Sequence, residues 1–215
     1  MPVVAEGGTA IFGAWHAQIT LGRKMQPKDL KSNHVREHYQ TALERTNNLV
    51  FMHAITAASN DQKTNFPGEI LGWGSKIKTW YDYRMMFGNV YERLFQLCVI
   101  SLCSDIELFL KQTFEKFNYK KGEGRGFYQR FNEVIATLKE SGHDFSEIEE
   151  DLKKIDFAFQ VRHICIHNYG IVDETFIRKT TLGKLGQKFE INQEQYREMF
   201  DAYVVFLKHL DPKLP

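Results

Sequence analysis

The most restrictive feature of the chain is a run from about residue 84 or 89 to 117 that has no polar face in its middle. Val90, Leu94, Leu97, Cys98, Ile100, Leu102, Ile106, Phe109, Leu110, Phe114 and Phe117 fill it so densely that a helix drawn through them is apolar almost all round. A surface helix carries one apolar stripe, whereas a helix apolar on every side has to be surrounded by protein or lipid. Lipid is the weaker choice. Asp105 and Glu107 interrupt the run, and the longest unbroken apolar stretches fall far below the roughly 20 residues that cross a bilayer. The run therefore predicts a central buried helix in a chain with no membrane span. Its two acids need partners in that setting.

Other helical patterns supply the neighbours. From residue 29 to about 58, Val35, Tyr39, Ala42, Leu43, Leu49 and Val50 keep helical spacing, and His34, Arg36, Glu37, His38, Glu44 and Arg45 take the other, solvated face. His34 and His38 are four apart, but nothing is placed to complete a metal site with them. After the break KKGEGRG at 120–126, a helix is expected over 127–140, stopped by Ser141-Gly142. Ser146-x-x-Glu149 has the form of a capping box opening the next helix, which runs to Gly170. Residues 180–191 read as turn with short strands. Asn192-x-x-Gln195 caps a last helix to about residue 210, with Tyr196, Phe200, Tyr203, Val204 and Leu207 inward. The fold class that follows is all-α, an up-and-down bundle of four to five helices over 84–215. Residues 1–83 form an N-terminal extension with at least one helix and an expected short strand near 17–21. Its aromatic part, with Trp73, Trp80, Tyr81 and Tyr83, reads as a loop whose rings either stack on bases or pin it to the core.

Composition excludes some functions and leaves others open. Of 215 residues, 43% are hydrophobic and 17 are Phe, enough for a large core or a subunit interface. Lys plus Arg (28) balance Asp plus Glu (27), so any nucleic-acid contact has to come from a local patch. Cys98, Cys103 and Cys165 match neither a zinc motif nor a redox pair, and an odd number of thiols in apolar context fits a reducing cytoplasm. The opening residues lack the basic start and apolar core of a signal peptide.

The chemistry concentrates at the end of the helix that precedes Gly170. Arg162, His163, His167, Asn168 and Tyr169 stand within eight residues, between apolar neighbours. At 100° per residue His163 and His167 share a face, while Arg162 lies roughly 140° from His167 and reaches the same cleft with its long stem. Cleavage of RNA through its 2′-hydroxyl needs a base, an acid and a cation for the crowded phosphate. Imidazoles near neutrality and a guanidinium fork fit those needs without a metal or another cofactor. The rivals fit less well. His163-Ile-Cys-Ile-His167 lacks the Glu of a zinc hydrolase, GEGRG lacks the Lys-Ser/Thr ending of a phosphate loop, and Cys165 points toward the core. A buried hydrogen-bond network that merely closes the helix end is the other reading of the cluster.

Arg162-x4-His167 followed by Asn168-x-Gly170 resembles the signature of HEPN domains, and the form Arg-His-x3-His-Asn-x-Gly-Ile-Val-Asp is close to bacterial subfamilies. The resemblance covers about 84–210. It implies a four-to-five-helix homodimer with a composite active site, and a metal-independent endoribonuclease leaving 2′,3′-cyclic phosphate ends, as in toxin and phage-defence systems. Arg162 would then hold the scissile phosphate and His167 act as general base or acid. His163 would tune the site from a position where Asn is commoner, Glu107 would pair with the arginine, and Asn168 would support the site. Tyr169 is similarly placed to the tyrosine adenylylated by a cognate nucleotidyltransferase antitoxin. A non-catalytic HEPN module binding nucleotide, RNA or a partner protein is the alternative.

Overall fold

The computed structural model describes residues 26–58, 78–79, 82 and 91–215. Within them lie six α-helices: α1 (Asn33–Ala58), α2 (Tyr91–Lys116), α3 (Phe131–Glu140), α4 (Glu149–His167), α5 (Glu174–Thr180) and α6 (Gln193–Leu210). No strand occurs among the described residues, and Ile171 and Lys188 form an isolated antiparallel bridge. The all-α expectation holds. The strand anticipated near 17–21 and the aromatic segment with Trp73, Trp80, Tyr81 and Tyr83 lie outside the described residues.

Helix α2 is the centre. It packs against α1, α4 and α6, and α4 also packs against α6. Cys98, Val99, Cys103, Ile106, Phe109 and Leu110 are wholly buried along it. Phe109 meets Tyr203 and Phe206 of α6 edge to face, a geometry that adds to burial because the positive edge of one ring meets the negative face of the next. The enclosure is not complete. Leu97 and Leu108, three turns apart on one face, stay 51% and 38% exposed. Among the described residues, one strip of α2 thus carries leucine toward solvent.

The acids in α2 are answered separately. Asp105 is buried and pairs with Arg45 of α1, while burial lifts its carboxyl above the usual range against the pull of that arginine. Glu107 turns to α4. Arg45 is therefore no free surface charge; Glu37 and Glu44 are exposed on this face as expected, but the two histidines are not. His34 and His38 are 8% and 9% exposed. Each imidazole Nε2 lies 2.9 Å from a partner on α2, Thr113 Oγ1 for His34 and Gln112 Oε1 for His38. The rings pack on Phe109. The helical period alone sets these polar histidines outside, and hydrogen bonds to α2 reverse that.

Burial lowers the His34 imidazole to about 4, helped by His38 and Lys116. Its folded value lies below the unfolded one near 6.5, so the unfolded chain binds more protons as pH falls. The stability this neutral ring contributes is complete above pH 6.5 and is lost as pH drops toward 4. We expect His34→Gln to remove on the order of 1–2 kcal/mol of the parent's stability loss between pH 6.5 and 4, measured by urea unfolding at each pH. Equal pH slopes for variant and parent would contradict this.

Two helix starts differ from expectation. The Ser146-x-x-Glu149 box does not form: residues Ser146–Ile148 make a 3-10 turn with no side-chain cap. Ser146 instead donates its backbone N–H and its hydroxyl to Asp144, at 2.9 and 3.0 Å. A local Asp two residues upstream competes better for the serine than the N3 amide does. The helix expected over 127–140 is likewise split, with a 3-10 turn at Phe127–Gln129 and α3 starting at Phe131. By contrast, the Asn192-x-x-Gln195 box is present in both directions, at 2.9 and 3.0 Å, and the five α6 residues expected inward are all buried. Helix α5 was anticipated by no pattern. Asp173 opens it by accepting from the Phe176 N–H at 2.7 Å.

Candidate functional site

Helix α4 ends at His167. Its last carbonyls are closed by Asn168 N–H and Gly170 N–H, both donating to Ile164 O at 2.9 Å. The chain then reverses through two left-handed residues, Tyr169 (φ 54°) and Gly170 (φ 82°). Gly170 is required here twice over. Its φ is costly for any residue with a side chain, and a Cβ would stand 2.5 Å from Nε2 of buried Gln96. We expect Gly170→Ala to cost about 2 kcal/mol in denaturant unfolding; a loss below about 0.5 kcal/mol would show that the turn relaxes freely.

The turn is held from its far side. Asn168 Nδ2 donates to Asp173 Oδ2 at 2.6 Å while the other oxygen of that carboxylate caps α5. One acid thus fixes the end of α4 and the start of α5 together. Asn168 is consumed in this joint. Tyr169 stands 76% exposed beside it.

Above the joint, α4 presents Arg162, His163 and His167 to one open groove of about 600 Å³. The groove runs between the start of α3 and the exposed side of α4, with Lys179 of α5 at its rim. The imidazoles of His163 and His167 lie 4.8 Å apart, centre to centre, as their four-residue spacing requires. Partial burial lowers His163 below its ordinary range, and the neighbouring His167, Lys179 and Arg162 add to this against Asp173.

Arg162 is held from behind. Its Nη1 lies 2.7 Å from Glu107 Oε1 of α2, with the two side chains only 17% and 20% exposed. The contact is ionic without hydrogen-bond alignment, and Arg162 Nε has no partner among the described residues. Burial raises the Glu107 carboxyl, and Arg162 opposes that rise. Glu107 thus holds one end of the guanidinium fork.

Of the six residues singled out in the sequence, Arg162, His163 and His167 line the groove. Glu107 backs the arginine, Asn168 secures the joint, and Tyr169 is outside the lining. Sequence reasoning missed Arg130, Gln129, Gln160 and Lys179, which also line it. Arg130 is anchored by Glu133 at 2.6 Å and by donating to Glu123 O at 2.6 Å, so the basic loop at 120–126 folds onto it. The hint was KKGEGRG itself, read only as a break. Lys179 had no signal, because α5 had none.

The cysteines take no part in the groove. Cys98, Cys103 and Cys165 are all buried thiols outside any disulfide, and burial pushes the Cys98 thiol up to about 12 and Cys103 higher still. Thiols so far from ionisation are poor nucleophiles. No group of three or more metal-ligating side chains is gathered among the described residues, and no helix there is long and apolar enough to cross a membrane. No family model, curated protein or solved structure matches the chain.

Proposed function

We propose that this groove cleaves RNA without a metal, in the manner of the HEPN endoribonucleases that the Arg162-x4-His167 motif resembles. The observation that carries the reading is the convergence of one guanidinium and two imidazoles on a single open groove. A scissile phosphate seated there meets Arg162, aimed by Glu107 at its back. One imidazole takes the ribose 2′-hydroxyl proton, and the freed oxygen attacks phosphorus. The other imidazole gives a proton to the departing 5′-oxygen, leaving a 2′,3′-cyclic phosphate and a 5′-hydroxyl. His167 acts as base or acid, with His163, whose imidazole lies 4.8 Å away centre to centre, as its partner.

The exposed leucines of α2 and the exposed Ile166 of α4 fit an isologous homodimer in which two such grooves meet. Buried, unoxidised thiols fit the cytoplasm. A toxin or phage-defence role remains tied to the motif resemblance. Within it, the exposure of Tyr169 makes that hydroxyl reachable by an adenylylating nucleotidyltransferase partner. Co-expression with such a partner is expected to add the mass of AMP to the Tyr169 peptide.

The decisive assay is incubation of RNA with the protein in excess EDTA. Cleavage with 2′,3′-cyclic ends, lost in His167→Ala while circular dichroism is retained, is the expected result. RNA bound but never cut would leave the non-catalytic binding module as the better description. Cleavage unchanged in His167→Ala would end the proposal.

A further inference from the structure

The groove does not stop at Lys179. A second cavity of about 660 Å³ opens between α3, α4 and the chain after α5. Asn132, Asp156, Gln160 and Lys179 line both it and the histidine groove, so the two are lobes of one trough meeting along a shared seam. Their characters differ. The first lobe holds the arginine and the imidazoles. The second adds an apolar wall, with Phe157, Leu152, Ile135 and Leu182, and places Lys139 and Lys153 at its margin.

Each part has a chemical reading. Leu182 is 45% exposed although its lobe is apolar, and Phe157 is only half covered by its contacts with Phe176 and Phe189. Such surface accepts a flat ring without sequence preference. At the seam, Gln160 Nε2 donates to Asp156 Oδ1 at 3.4 Å, so the second amide hydrogen and the second carboxylate oxygen are the donor and acceptor left for a base edge. Lys153 is occupied by Glu150 at 2.6 Å. Lys139, in the last turn of α3, and Lys179, at the seam, have no ion pair among the described residues. Both line the second lobe, where they can meet phosphates. Two acids, Asp156 and Glu149, share the lining. That mixture disfavours the dense charge of a duplex and suits one strand.

We propose that the second lobe seats the nucleotide next to the scissile bond, so that the trough takes single-stranded RNA of at least two ordered nucleotides. The base lies against the Leu182–Phe157 wall, and its phosphates pass Lys179 and Lys139. This rests on the nuclease reading for the identity of the first lobe, but its test needs no catalysis.

The probes are 2′-O-methyl oligonucleotides of two and six residues, which cannot be cut through the 2′-hydroxyl. Binding is followed by fluorescence anisotropy with the full chain. The parent is expected to bind the hexamer about tenfold more tightly than the dimer. Lys139→Glu and Leu182→Ser alter exposed side chains that belong to the second lobe alone. Each is expected to weaken hexamer binding about fivefold or more, and Lys139→Glu to lower the salt slope by about 0.7 or more. Parent-like hexamer binding in both variants overturns the second lobe, whether or not the parent cleaves RNA. A parent that never cleaves, yet binds the hexamer with these losses, overturns the nuclease reading and keeps the lobe. A parent that binds neither probe overturns the second lobe.

Discussion

Arg162→Ala is expected to reduce RNA cleavage in EDTA by about 10²–10³-fold, the usual cost of removing one donor aimed at developing charge. Arg162→Lys should recover little, because a point charge on a flexible stem cannot reproduce a fork fixed at one end by Glu107. The same substitution carries a structural cost with a signature of its own. Burial already raises the Glu107 carboxyl, with Arg162 the opposing influence. Without the arginine that rise is larger. A folded value above the unfolded one means that the native state binds more protons, so the associated stability is present at low pH and lost as pH rises. The unfolding penalty of Arg162→Ala, about 1–3 kcal/mol at pH 7, should therefore shrink toward pH 4. Glu107→Gln keeps the shape and removes the charge. It should cost cleavage less than Arg162→Ala does, because the fork is then loosened and not lost. Parent-like cleavage by Arg162→Ala would refute the assigned role, however much the protein were destabilised.

Asp211→Ala is expected to be among the most destabilising single changes in a residue remote from the groove, at about 2–3 kcal/mol. Asp211 is 6% exposed and accepts from the backbone N–H groups of Lys31 and Ser32, at 2.5 and 2.9 Å. Those amides lie immediately before α1, where a helix start favours negative charge. The residue that ties down the entry to α1 thus follows the end of α6, 179 positions away from Ser32. Its removal leaves two amides without their acceptor and unfastens the end of the bundle. Urea unfolding gives the magnitude, and amide exchange at Lys31 and Ser32 should accelerate selectively. Asp211→Asn retains an acceptor and should cost less. A loss under about 0.5 kcal/mol, or uniform acceleration of exchange, would mean that the contact is incidental.

These expectations mark how far the sequence could be read. The helical period located α2, α4 and α6, because each buries a broad stripe whose spacing survives in one dimension. The Asn192 box was legible because both partners are three residues apart. Its look-alike at Ser146 does not form, since a nearer partner, Asp144, takes the serine. His34 and His38 were set on the wrong side, because a polar side chain is buried when a distant residue satisfies it, and Thr113 and Gln112 are more than 70 positions away. Arg162, His163 and His167 were visible as a cluster for the opposite reason: all three lie within six residues of one helix.

What the chain determined through local order alone is an all-helical bundle around an apolar rod, and a knot of basic side chains at a glycine-terminated helix end. Spacing fixes faces, and faces fix what must be buried. What only the tertiary structure decided is which distant groups meet that knot. Glu107 reaches Arg162 across α2 and α4, Arg130 arrives through a folded basic loop, and Lys179 comes on a helix too short to leave a pattern. These pairings depend on the relative placement of elements, and no period within one element encodes that.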